Sequence, residues 1–148
     1  MYSYEYPRPA LTADAVILST NTEGARTVLL IRRGNEPFAG KWALPGGFVN
    51  EGETSAEAAR RELEEETGVR LDSADQLAQI GLYDTPGRDP RGWTVSAVYA
   101  TELPGEPLAH GGDDATEAKW HKVDELPPLA FDHDRIVADV LDIISSEE

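Results

Sequence analysis

The residues best equipped for chemistry lie between Gly46 and Val69, where the chain reads GGFVNEGETSAEAARRELEEETGV. Gly47 is followed after five residues by Glu53, and after seven more by Arg61-Glu62-Leu63-Glu64-Glu65-Glu66-Thr67-Gly68-Val69. On an α-helix, residues three and four apart share a face, so Glu62, Glu65 and Glu66 converge on one side. Ala56, Ala59 and Leu63 follow an i, i+3, i+7 pattern and form a separate apolar face. The helix is thereby seated by one face while its carboxylates are held up by the other. Clustered carboxylates repel one another unless a cation neutralises them, and hard oxygen ligands suit magnesium or manganese. A divalent ion is the partner that this chemistry asks for.

The elements that must position these groups are legible nearby. Thr54 with Glu57 three residues on predicts a capping box at the helix start, and Gly68 is placed to end it. Gly46 and Gly47 fit a turn where backbone passes close to bound ions, and a carbonyl there is a further ligand candidate. Arg61 pairs most simply with Glu53, fixing the loop against the helix. Glu53 is also a candidate base, but an ion-paired carboxylate has a lowered pKa and is a weaker one, so its first role is structural.

Around this block, apolar β-branched runs at Leu11 to Ser19 and Thr27 to Arg32, separated by Asn21-Thr22-Glu23-Gly24, predict a hairpin. Gly34 to Gly40 reads as a loop, and the helix occupies roughly Thr54 to Thr67. Strands are expected near Leu77 to Tyr83, Thr94 to Ala100 and Ala118 to Lys122. Between them run loops at Asp84 to Gly92 and Pro104 to Asp114. A last helix from about Asp132 to Ile144 carries Ile136, Val137, Val140, Leu141 and Ile144 on one stripe. Strands on either side of a central helix, closed by an amphipathic one, define an α/β fold with a mixed sheet between helical layers.

Composition narrows the functional classes. The 148 residues, 40% of them hydrophobic, suffice for one core, so a single domain over 1–148 is expected. There are no cysteines, which excludes disulfides, thiolate catalysis and cysteine-ligated zinc. The N-terminus lacks the basic and hydrophobic regions of a signal peptide, and no apolar run reaches membrane-spanning length; a cytoplasmic protein follows. A net charge of −15 argues against long nucleic acid as a partner. A small phosphorylated substrate is still compatible, because bound divalent ions bridge carboxylates to phosphates.

The Gly46 to Val69 block resembles the Nudix box, every fixed position being filled, and the chain is similar to the Nudix hydrolases over essentially its whole length. The resemblance implies an α/β/α sandwich and metal-dependent hydrolysis of nucleoside diphosphates linked to a second group. It implies that Glu62, Glu65 and Glu66 bind magnesium, or manganese, together with the Gly46 carbonyl. An extra carboxylate, ligand or base, is expected on a loop before the last strand, with Asp113, Asp114 and Glu117 as candidates. The residues put forward for the reaction are thus Glu53, Arg61, Glu65, Asp114 and Glu117. Family members commonly form homodimers, and Met1 to Pro9, with Tyr2, Tyr4 and Tyr6, is suited either to lie across a second subunit or to fray as a terminus.

Substrate choice lies outside the box. PFAGKWALPGGFV before the helix, GRDPRG after Pro86 and LAFDHD near the C-terminus look like the ADP-ribose pyrophosphatase branch, whose products would be AMP and ribose 5-phosphate. Pro86, 17 residues after Val69, adds support. Arg88 and Arg91 are read as contacts to phosphate or ribose, or as partners of neighbouring acids. Arg32 and Lys41 are cations of the same kind for which a surface role is favoured. Tyr83, Trp93 and Phe38 are candidates for stacking on adenine. Trp42 is read as packing, and His110, His121 and His133, lacking zinc-site spacing, as structural or exposed. Two other readings stand beside ADP-ribose hydrolysis. One is turnover of a nucleoside triphosphate, sugar nucleotide or pterin triphosphate; the other is a non-catalytic sensor of ADP-ribose-type ligands, disfavoured by the intact glutamates and by the chain's ending at Glu148 in an acidic tail.

Overall fold

A computed structural model describes residues 3–147, with the elements β1 (Ala10–Thr20), β2 (Arg26–Arg33), β3 (Trp42–Ala43), β4 (Gly46–Phe48), α1 (Ser55–Thr67), a 3-10 turn (Ala74–Gln76), β5 (Ala78–Tyr83), β6 (Thr94–Glu102), β7 (Ala115–Lys122) and α2 (His133–Glu147). The strands form one mixed sheet with the spine β3-β2-β1-β6-β5, to which β4 is added on β1 and β7 on β2. β1 runs parallel to β6; the other pairs are antiparallel. The expected α/β sandwich with a mixed sheet is the fold observed. Among the described residues, no helix is long and apolar enough to cross a membrane. Of the N-terminal tyrosines, Tyr4 and Tyr6 are exposed, with the Arg8 guanidinium over the Tyr4 ring, and Tyr2 lies outside the described residues.

β1 organises both layers because it is buried on both faces, the setting in which a strand reads as a nearly continuous apolar run. Successive side chains alternate across the sheet. Ala13, Ala15 and Ile17 pack with Ala58, Ala59 and Leu63 of α1, while Val16 and Leu18 pack with Ile136, Val137 and Val140 of α2. β1 also holds β4 along Thr12 to Asp14 and β2 along Leu18 to Thr20. β4, with Gly46 and Gly47, is therefore attached to a strand buried on both faces.

The helix boundaries follow their caps. The Thr54 hydroxyl accepts the Glu57 N–H at 3.1 Å, and Gly68, at φ +77°, donates its N–H to the Glu64 carbonyl. Three expectations are corrected. Ala58 joins Ala59 and Leu63 in the core, and Ala56 is only partly buried beside them. β7 begins at Ala115, so Glu117 is a strand residue and not a loop acid. Gly46 and Gly47 do not form a turn; they are β4, and their need for glycine is close approach. A Cβ on Gly46 would stand 2.1 Å from an Asp14 carboxylate oxygen, and one on Gly47 2.7 Å from the Glu62 carboxylate carbon.

Because Leu63 is fully buried, Leu63→Ala is expected to lower the unfolding free energy by about 2–5 kcal/mol, measured by urea titration. Leu82→Ala, at a side chain 59% exposed on β5, should change it by about 0.5 kcal/mol or less.

Candidate active site

A cleft of about 420 Å³ opens between α1, β4, the end of β2 and the segment leading into α2. One wall is acidic, lined by Glu62 and Glu66, and Arg61 organises it from behind together with Glu53 and Glu65, none of the three being a lining residue. Its Nε and one terminal nitrogen hold both Glu53 oxygens at 2.7 and 3.0 Å. The other terminal nitrogen reaches Glu62 at 2.6 Å and Glu65 at 3.3 Å. A last N–H meets the Phe48 carbonyl at 3.1 Å, tying helix to strand. The hydrogen bond from Arg61 holds Glu53 below the usual carboxylate range, and Glu53 in turn raises the guanidinium. Glu53 also accepts the Asn50 N–H, so the pair closes the loop between β4 and α1.

Among the described residues, Glu66 has no cationic partner within hydrogen-bonding distance. It is buried, 5% exposed, and its one hydrogen bond is from the Gly46 N–H at 2.8 Å. That bond exists because Gly46 faces Asp14 at a position where β1 and β4 do not bond each other: the neighbouring contacts are Ala15 N–H to Pro45 and Val49 N–H to Leu11. In such a position both backbone groups of Gly46 turn away from β1. Burial pushes Glu66 up to about 9, with repulsion from Glu62, Asp14 and Asp113 adding to it. Burial likewise raises Glu62, partly offset by Arg61, with Glu65 and Asp113 pushing the same way. Oxygen atoms of Glu62, Glu65 and Asp113 lie within 4.8 Å of one another. An all-oxygen cluster whose charge is only partly balanced fits a hard divalent cation.

The opposite wall is built by the residues before α2. The Ala130 N–H bonds the Trp42 carbonyl at 2.8 Å and the Leu44 N–H donates to His133 Nδ1 at 3.0 Å. A backbone N–H can only donate, so the neutral ring carries its proton on Nε2, 3.8 Å from Asp14. Burial lowers the His133 pKa, which keeps the ring neutral. His133 is thus structural, as expected, and it also lines the cleft.

The other expected residues divide. Arg88 is inside but spent: it grips Asp132 with two bonds of 2.9 and 2.7 Å, and its side chain is 5% exposed. Arg91 lines the cleft, paired with Asp89 at 2.8 Å. Asp114 also lines it, accepting from the Asn35 amide at 3.1 Å. Glu117 instead faces Arg32 across the β2–β7 ladder at 3.2 Å, and both lie outside the cleft lining. Lys41 sits over the Phe38 ring, and Phe38 packs edge-on against Phe131. Tyr83 hydrogen-bonds Asp139 of α2 in a separate depression, and Trp93 is exposed away from the cleft. Trp42 packs against His121 as expected, and His110 is exposed beyond the end of α1. Sequence reasoning missed Asp14, Arg33, Phe48 and Phe131, all of which line the cleft. Asp14, a lone acid inside a buried apolar run, was the one readable signal.

The box sequence, the mixed sheet held between α1 and α2, and the acidic wall together define a member of the NUDIX domain family, whose pattern matches residues 9–140, and the chain belongs to that family. It is 44% identical over 136 residues to the ADP-ribose pyrophosphatase of Methanocaldococcus jannaschii, covering 92% of this chain and 75% of that protein. It is 35% identical to the ADPR responsive transcriptional repressor NtrR of Acinetobacter baylyi, spanning 87% of this chain and about half (52%) of the repressor. Among solved structures, the NUDIX domain of Shewanella oneidensis NrtR complexed with ADP ribose superposes with a TM-score of 0.85 at 29% identity, covering 94% of this chain and 90% of that one. A MutT/nudix family protein from Enterococcus faecalis gives 0.88 at 35% identity, over 99% of this chain and 66% of that one.

A pH dependence follows from Glu66. Its folded pKa, about 9, stands above the ordinary 4.5. The stability that it contributes to the metal-free protein is therefore full below pH 4.5 and is lost as pH rises through 9. His133 acts in the opposite sense but only below its ordinary 6.5, where the unfolded chain takes up the proton first. Between about pH 7 and 9 the melting temperature in EDTA should fall, and Glu66→Gln should flatten that slope. Equal slopes for the two proteins would count against the assignment.

Proposed function

We propose that the protein is a magnesium-dependent pyrophosphohydrolase that cleaves ADP-ribose to AMP and ribose 5-phosphate. The observation that carries this reading is the acidic wall: Glu62, Glu65 and Glu66 gathered at β4 with charge that Arg61 balances only in part. The kinship to an ADP-ribose pyrophosphatase and the likeness to a domain complexed with ADP ribose support the choice of substrate.

In this reading Glu62, Glu65, Glu66 and the Gly46 carbonyl hold magnesium or manganese, with Asp113 the loop carboxylate that completes the set. The bound ion would neutralise the diphosphate and lower the pKa of the attacking water. Arg61 and Glu53 position the helix against β4, and neither needs to touch substrate. Asp114 is the loop acid at the cleft, whereas Glu117, engaged with Arg32 on the strand edge, is set aside as a base. Lys41 and Tyr83 are likewise set aside as substrate contacts, and Arg88 acts by anchoring its loop. The residues 1–148 are read as one Nudix hydrolase domain of a cytoplasmic homodimer, following the habit of the family.

The test is product release with magnesium from ADP-ribose, NADH, diadenosine polyphosphates, nucleoside triphosphates and UDP-sugars. Preference for ADP-ribose with AMP as product, lost in Glu65→Gln and Glu66→Gln, is the expected outcome. Turnover of another compound keeps the mechanism and discards the substrate, and binding without turnover assigns the chain to the sensors. Arg61→Gln should lower kcat/KM roughly ten- to a hundred-fold, as for groups that orient ligands without binding substrate; an unchanged value would remove Arg61 from the account.

A further inference from the structure

Asp14 stands inside the apolar run of β1, 6% exposed, where a carboxylate is costly to bury unless its oxygens find donors. Its neighbours come from two other elements. Ser96, fully buried on β6, donates its hydroxyl to Asp14 Oδ2 at 2.5 Å. The His133 ring, oriented by the Leu44 N–H on Nδ1, turns its Nε2–H toward the same oxygen at 3.8 Å, flanking it without a hydrogen bond. Arg88 lies in the field of Asp14, yet its hydrogen bonds among the described residues go to Asp132 and Thr94. Ser96 therefore sets the orientation of the carboxylate.

With Oδ2 held by Ser96, Oδ1 lies against Gly46, 2.1 Å from where a Cβ on that glycine would stand. Asp14 and Gly46 are directly opposed across β1 and β4. Alternation along β1 puts Asp14 on the face of Val16, toward α2, whereas Glu66 reaches Gly46 from α1 on the other face. Gly46 is thus held between two carboxylates, one bonded to its N–H and the other packed where its side chain would be. The two residues before it are also fixed: the Leu44 N–H by His133 and the Pro45 carbonyl by the Ala15 N–H. Each of residues 44–46 is therefore tied to β1 or to the start of α2.

We propose that Asp14, locked by Ser96, is a positioning residue of the site: it wedges Gly46 so that the N–H stays on Glu66 and the carbonyl, a ligand in the reading above, keeps its direction. Asp14 acts through Gly46 and touches neither ion nor substrate. The inference rests on reading the acidic wall as the cation site. It gives a role to the one acid in β1, which the box pattern does not include.

Manganese binding, read at fixed pH from the electron paramagnetic resonance signal of the free ion, tests it in wild type, Asp14→Ala, Asp14→Asn, Ser96→Ala, Val16→Ala and Glu66→Gln. Asp14→Ala should weaken binding roughly ten- to a hundred-fold, as for groups that orient metal ligands, and Ser96→Ala should weaken it by a smaller factor. Asp14→Asn, which keeps the shape and the acceptor for Ser96, should recover most of the loss. Val16→Ala truncates a buried side chain on the same face of β1; it should lower the melting temperature and leave manganese affinity at the wild-type value. The assignment is overturned if Asp14→Ala binds as wild type does, or if Val16→Ala weakens binding as much. It is also overturned if Asp14→Asn binds no better than Asp14→Ala, since charge and not position would then be the cause. Should Asp14→Ala fail to fold, Ser96→Ala decides, and wild-type affinity there overturns the assignment. Wild type that binds no manganese, or binding that Glu66→Gln leaves unchanged, discards the acidic wall as the cation site and Asp14 with it. Loss in Glu66→Gln with none in Asp14→Ala discards Asp14 alone.

Discussion

Everything at the cleft depends on negative charge crowded where α1 meets β4. Glu62 rests where a Cβ on Gly47 would stand, Asp14 where one on Gly46 would stand, and Glu66 accepts from the Gly46 N–H. Arg61 balances Glu53, Glu62 and Glu65 with one guanidinium and reaches no further. Glu66 is left buried beside Asp14, and burying a lone carboxylate favours its protonated form. A hard divalent cation is the kind of partner that would relieve such an arrangement.

The rest of the fold follows from holding that crowd in place. β1 is buried on both faces, and β4, carrying the glycines, is paired to its first half. The opposite wall is pinned by the segment before α2, which bonds β3 through Ala130 and the following turn through His133. The Arg88–Asp132 pair fastens the loop after β5 to the same segment. Three separate stretches of sequence therefore meet at the cleft, each tied by a buried polar contact.

Local sequence carried the box and its helix because their signals are local: a threonine cap, a glycine stop, and carboxylates at helical spacing. The sheet was legible as strands but not as an order, since the β1–β6 pairing joins residues more than 80 apart. The role of Gly46 was misread for a related reason. A glycine demanded by a neighbour's carboxylate looks, in sequence, like a glycine demanded by a turn. Arg88 looked free because Asp132 lies 44 residues away. Arg32 and Arg33 could not be told apart without the strand's facing, which one residue of register inverts. The long-range partners that spend or spare a charge, and not residue type, sorted the arginines.

The central claim is that Glu66, buried at β4 beside Asp14, holds its proton in the metal-free protein and gives it up when a divalent ion binds. Titrating the protein with magnesium or manganese at pH 7 in buffers of different ionisation enthalpy reads the coupling directly. The account predicts release of about one proton per protein on metal binding, lost in Glu66→Gln. Metal binding at the same affinity with no proton release would contradict it, because Glu66 would then already be ionised in the metal-free protein.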